Sequence, residues 1–151
     1  MDDPDDIRNW LRLSDRITTS GRLCPGDPAR LAAIGVRHVV NLSLHDHPEA
    51  LPDAARQMAD AGLRYTHIPV PFDAPAQAHY DAFRAAIEAD DAPVHVHCIM
   101  NWRVSAFFYR YHRDVAGMAE PAARALMERI WKPDAMDRED ARAWAALIAP
   151  Q

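Results

Sequence analysis

Cys98 closes a short β-branched run, Val94-His95-Val96-His97, and Arg103 and Ser105 follow it within one helical turn or two. An amphipathic pattern opens near the arginine, with Val104, Phe107, Phe108, Tyr111 and Val115 at three- and four-residue steps. A cysteine between a strand end and a helix start meets free backbone N–H groups and the positive end of the helix dipole. Both favour the thiolate, which is the nucleophilic form. The same N–H groups can hold a tetrahedral oxyanion, and a guanidinium can add a two-pronged clamp. These residue types in this order predict attack on a phosphate or a similar anion.

The remaining reactive side chains carry weaker signals. Cys24 is the other cysteine; alone it reads as a small buried hydrophobe, with a protective disulfide to Cys98 under oxidation as a further option. Eight histidines include the pairs His45/His47 and His95/His97. No Cys-x-x-Cys or His-Glu-x-x-His pattern accompanies them, so no metal site is expected.

His97-Cys98 with Arg103 and Ser105 resembles the signature of the cysteine-dependent protein tyrosine and dual-specificity phosphatases, nearest to the small bacterial dual-specificity type. Gly35-Val36-Arg37-His38-Val39-Val40-Asn41-Leu42-Ser43 looks like the strand which that family places before a variable loop. Gly62-Leu63-Arg64-Tyr65-Thr66-His67-Ile68-Pro69-Val70 looks like the strand before its general-acid loop. The likeness covers roughly residues 16 to 116. One departure is plain: four residues, Ile99, Met100, Asn101 and Trp102, separate Cys98 from Arg103 where the family usually has five, and the loop glycine is missing. Four is the spacing of rhodanese-type sulfurtransferases, whose loop cradles a sulfur substrate.

The resemblance implies a set of roles. Cys98 attacks phosphorus and Arg103 grips two non-bridging oxygens. Backbone N–H groups of Ile99, Met100, Asn101, Trp102 and Arg103 complete the cradle. Ser105 hydrogen-bonds the sulfur, His97 orders the loop and lowers the thiol pKa, and Asp73 protonates the leaving oxygen and then activates water. Each has a plainer competitor. Asp73 suits the N-cap of the helix starting near Pro75, Ser105 an ordinary first turn, and Trp102 either loop packing or a pocket wall. Asn101 can stand in for the missing glycine, because Asn tolerates left-handed backbone.

The elements needed to position these groups are also legible. Strands are expected at Arg16–Gly21, Val36–Leu42, Leu63–Val70 and Pro93–His97. Helices are expected around Ile7–Leu13, over Asp27–Ile34 stopped by Gly35, Pro48–Ala61 stopped by Gly62, Ala76–Ala89 and Trp102–Val115, and around Ala123–Ile130 and Ala141–Ile148. Alternating strands and helices predict an α/β fold: a central, mostly parallel sheet of four or five strands flanked by helices, dual-specificity-phosphatase-like, in one domain spanning 1–151. Ligands in such sheets bind beyond the carboxyl ends of the strands, where the Cys98 loop lies.

Composition narrows the class. Of 151 residues, 49% are hydrophobic and 26% charged, which suits a folded core. Net charge is −5, which argues against nucleic acid as a partner. No apolar run spans a bilayer and the first residues are acidic, so the expectation is a cytoplasmic protein without a membrane partner. The predicted function is phosphate monoester hydrolysis through a cysteinyl-phosphate, acting on a phosphorylated protein or small molecule and needing no cofactor. The alternatives are a sulfurtransferase carrying a Cys98 persulfide and an inactive module that binds phosphorylated ligands. Oligomeric state is not encoded in any pattern seen here.

Overall fold

The computed structural model describes residues 2–150. In chain order its elements are β1 (Leu11–Arg12), β2 (Ile17–Ser20), α1 (Asp27–Ala33), β3 (His38–Asn41), α2 (Ala54–Asp60), β4 (Arg64–His67), α3 (Gln77–Glu88), β5 (Val94–His97), α4 (Trp102–Asp114), α5 (Glu120–Glu128) and α6 (Glu139–Ile148). A short 3-10 turn, Pro133–Ala135, precedes α6.

The strands form one five-stranded sheet in the order β1-β2-β5-β3-β4. β2, β5, β3 and β4 run parallel, and β1 adds to the edge antiparallel. Parallel neighbours need crossovers, and the crossover helices cover both faces. Side chains alternate along each strand, so adjacent valines feed different cores. Val39 joins Leu31 and Met58 on the side of α1 and α2. Val40 joins Phe83, Phe107 and Trp144 on the side of α3, α4 and α6. On β5, Val94, Val96 and then Cys98 belong to this second core. His95 and His97 therefore face α1 and α2.

Several boundaries differ from the expected ones for identifiable reasons. No helix forms at Ile7–Leu13. Asn9 takes a left-handed φ of 49°, which breaks the turn, and Leu11 and Arg12 pair with Thr19 and Thr18 instead. The second helix begins at Ala54, not Pro48. Pro52 drives the residue before it away from helical backbone, and Asp53 is itself left-handed at φ 49°. β4 ends at His67, ahead of Pro69 and Pro71, which cannot donate to a ladder. Gly35 and Gly62, at φ 99° and 74°, act as the expected helix stops. Among the described residues no helix is long and apolar enough to cross a membrane.

Candidate active site

β5 lies between β2 and β3, and its carboxyl end is fastened on both sides. The Leu42 N–H donates to the His97 carbonyl at 2.8 Å, and the Cys98 N–H donates to the Ser20 carbonyl at 3.4 Å. The chain then turns through Ile99, Met100 and Asn101 and enters α4 at Trp102. Asn101 precedes the helix with φ 65° and ψ 7°, the left-handed backbone that a substitute for the loop glycine has to adopt.

The loop points its carbonyls outward and leaves its amides free. The Ile99 carbonyl accepts the Arg22 N–H at 2.9 Å. The Met100 carbonyl accepts Nδ2 of Asn9 at 2.9 Å. Asn101 returns the bond, its Nδ2 donating to the Asn9 carbonyl at 2.8 Å and to Thr19 Oγ1 at 3.1 Å. Gly21 closes the bracket, because a Cβ there would come within 2.5 Å of the Ile99 carbonyl. Among the described residues, the N–H groups of Ile99, Met100, Asn101, Trp102 and Arg103 have no protein acceptor. Unspent donors at a helix start are groups that can hold an anion.

Arg103 is 8% exposed. Its Nε is buried without an acceptor, and its guanidinium lies 5.4 Å from the centre of the Phe72 ring. Trp102 stacks on Trp131 at 5.2 Å with 5° between the planes, and Phe72 packs beside both. Phe72, Trp102 and Arg103, with His47, Ile99, Met100 and Arg138, line a cleft of about 260 Å³. Cys98 is 1% exposed and is not among the residues that line the cleft. It belongs to the core that holds Val96 and Val104.

The other expected site residues are placed as follows. Ser105 donates its hydroxyl to the Trp102 carbonyl at 3.1 Å and makes no hydrogen bond to the sulfur, contrary to the role expected for it. His97 has both ring nitrogens buried without partners. Burial holds its pKa down to about 4, so it is neutral at pH 7 and lends the thiol no charge. Asp73 is exposed on the turn after Phe72. It does not cap α3: Ala76 holds the N-cap position, and its N–H goes to Nδ1 of His79 at 3.0 Å. Instead it lines a depression beside the cleft, with Arg138 common to both. Cys24 is exposed rather than buried, and both cysteines are free thiols.

One histidine of each pair, His95 and His45, has partners within the protein. His95 is hydrogen-bonded at both nitrogens, with Thr18 Oγ1 and Ser20 Oγ at 2.8 Å each. His45 stacks on His67 at 3.7 Å. Among the described residues no group of three His, Cys, Asp or Glu side chains could hold a metal ion. Asn9, Gly21 and Arg138 are the site residues that sequence reasoning missed; the first two act on a loop far along the chain, Asn9 across 91 and 92 residues, and the third lies beyond the recognised segment, so no local pattern marks them.

Known proteins share this fold. A DUF442 phosphatase candidate from Shewanella putrefaciens CN-32 matches with a TM-score of 0.82 and 28% identity, over 95% of this chain and 91% of that one. TpbA of P. aeruginosa, as a cysteine-to-serine variant in complex with phosphotyrosine, matches with a TM-score of 0.72 and 23% identity, over 98% and 91%. The core catalytic domain of the PP-IP phosphatase SIW14 from S. cerevisiae matches with a TM-score of 0.71 and 11% identity, over 91% and 84%. The latter two share the fold of cysteine-based phosphatases of the tyrosine and dual-specificity type. No curated protein matches the chain. Residues 9–109 match the model of the beta-lactamase hydrolase-like protein, phosphatase-like domain, and the chain belongs to that family.

Proposed function

We propose that the protein hydrolyses phosphate monoesters through a cysteinyl-phosphate on Cys98. One observation carries the reading: Arg103 is buried, has an unpaired Nε and faces a cleft on whose lining, among the described residues, there is no carboxylate, beside five free amides. A buried cation without an anion is costly, so the guest supplies the charge.

The sulfur of Cys98 attacks phosphorus from below, forming the S–P bond as the ester P–O bond breaks. Asp73 gives its proton to the leaving oxygen. Its carboxylate then takes a proton from water, which attacks phosphorus, releases inorganic phosphate and returns the thiolate. Arg103 and the loop amides offset charge on the three non-bridging oxygens in both steps. Ser105 can assist the departing sulfur only by exchanging the Trp102 carbonyl for it. The substrate is a phosphorylated protein or small molecule; the phosphotyrosine held by TpbA agrees with this class.

The test is phosphate release from an aryl phosphate. Cys98→Ser should lower the rate by a factor on the order of 10⁴ or more, as expected when a nucleophile is removed. Turnover at the parental rate would exclude Cys98 as the nucleophile. The four-residue loop favours a second reading, persulfide transfer, and thiocyanate formed from thiosulfate and cyanide would point to it. Tight vanadate binding without turnover would point to a binding module.

A further inference from the structure

The cleft next to the Cys98 loop holds a second guanidinium besides that of Arg103. Its ionisable lining residues are His47, Arg103 and Arg138. His47 accepts the Glu49 N–H at Nδ1, 3.0 Å away, so its neutral ring carries the proton on Nε2 and can only donate there. Arg138 precedes α6 on extended backbone. Its side chain is 51% exposed and has one acidic partner, Asp140, reached by Nη2 at 2.6 Å. The carboxylates nearby, Asp73, Glu139 and Asp140, line the adjoining depression of about 500 Å³ and not the cleft. Arg138 thus stands on the ridge between a basic cleft and an acidic hollow. Arg103 sits deep and Arg138 at the rim, with the apolar faces of Phe72 and Trp102 in the same wall.

We propose that the substrate is a phosphate monoester whose leaving group bears a second anion, carboxylate or phosphate, and that Arg138 reads this anion while Arg103 holds the reacting phosphoryl group. This rests on the phosphatase reading of the same cleft. The carbon frame joining the two anions lies on Phe72 and Trp102. Arg138 lies outside the segment matched by the family model, residues 9–109.

Three esters test it: para-carboxymethylphenyl phosphate, the para-carbamoylmethyl ester of the same size, and para-phenylene bisphosphate. The parental protein should prefer one or both anionic esters over the amide by about tenfold in kcat/KM at low ionic strength, the scale of one added ion pair with Arg. The preference should sit in KM, because the contact is made equally before and during reaction. It should fall to near unity in Arg138→Gln and return in part in Arg138→Lys. Which anionic ester is favoured identifies the second group.

Dissociation constants of the same esters, read from tryptophan quenching on Cys98→Ser protein, must show the same ratios. A protein that binds with these ratios but never turns over refutes the phosphatase reading and leaves Arg138 supported. Equal values for anionic and neutral esters, a preference that survives in Arg138→Gln, or binding of none of the three overturns the proposal.

Discussion

His95 and His97 stand two residues apart on β5, face the same side and are both buried, yet they belong to different regions of the molecule. Around His95 each polar atom is met. Thr18 and Ser20 hold its two nitrogens, and Trp10 stacks on the ring at 5.1 Å. From His97 onward polar atoms are left over: both its nitrogens, Oδ1 of Asn101, Nε of Arg103 and the amides of the loop. A buried polar group without a partner costs about 1–3 kcal/mol. The first region is built for stability, whereas the second forgoes stability and keeps donors ready for a guest.

Replacing Arg103 tests the contrast most severely. Arg103→Met should lower turnover of an aryl phosphate by roughly 10³-fold, the loss typical of a transition-state donor. Its melting temperature should equal or exceed that of the parent, since an apolar side chain of similar size removes an uncompensated buried charge. Loss of both activity and fold would mean that Arg103 belongs with the stabilising region. Gly21→Ala should come next. The new methyl would press on the Ile99 carbonyl, displacing the loop and costing about 10²-fold in rate, as small misplacements do. Unchanged kinetics would show that the bracket around the loop is not needed for its geometry.

The smallest effect concerns pH. Burial holds His97 neutral down to about pH 4 and lowers His95 well below 6.5. Between those values and 6.5 the unfolded chain binds protons that the native one refuses. Stability is therefore complete above pH 6.5 and declines as pH falls towards 4, by roughly 3 kcal/mol for His97 alone. Urea titrations across this range should show a shallower decline in His97→Ala. An identical decline would mean that His97 is not held neutral by the fold.

What the sequence disclosed and what it concealed divide along similar lines. The β5–loop–α4 unit is local: its β-branched run, cysteine, arginine and helical apolar pattern are contiguous, and so it could be read directly. The tolerance of Asn101 for left-handed backbone could also be anticipated from residue type. The partners that shape the loop could not. Asn9 meets Met100 and Asn101 only after folding, and its own neighbourhood carries the apolar spacing of a helix, which misled the reading of Ile7–Leu13. Cys24 looked like core because free cysteine usually is. It is exposed where Asp27 caps its N–H at 2.7 Å on the way into α1. The hydroxyl of Ser105 chose a backbone carbonyl over the sulfur, a choice set by rotamer and not by spacing.

The position of β5 in the strand order has a last consequence. A strand at the rim of a sheet can peel away singly, but one flanked on both sides is released only when the sheet itself comes apart. Amide deuterium uptake should accordingly be slowest along Val94–His97 and change abruptly at Met100, whose N–H bonds to nothing. The Cys98 thiol would then be moored to one of the slowest-exchanging parts of the molecule, and would keep its place even if the loop after it moves.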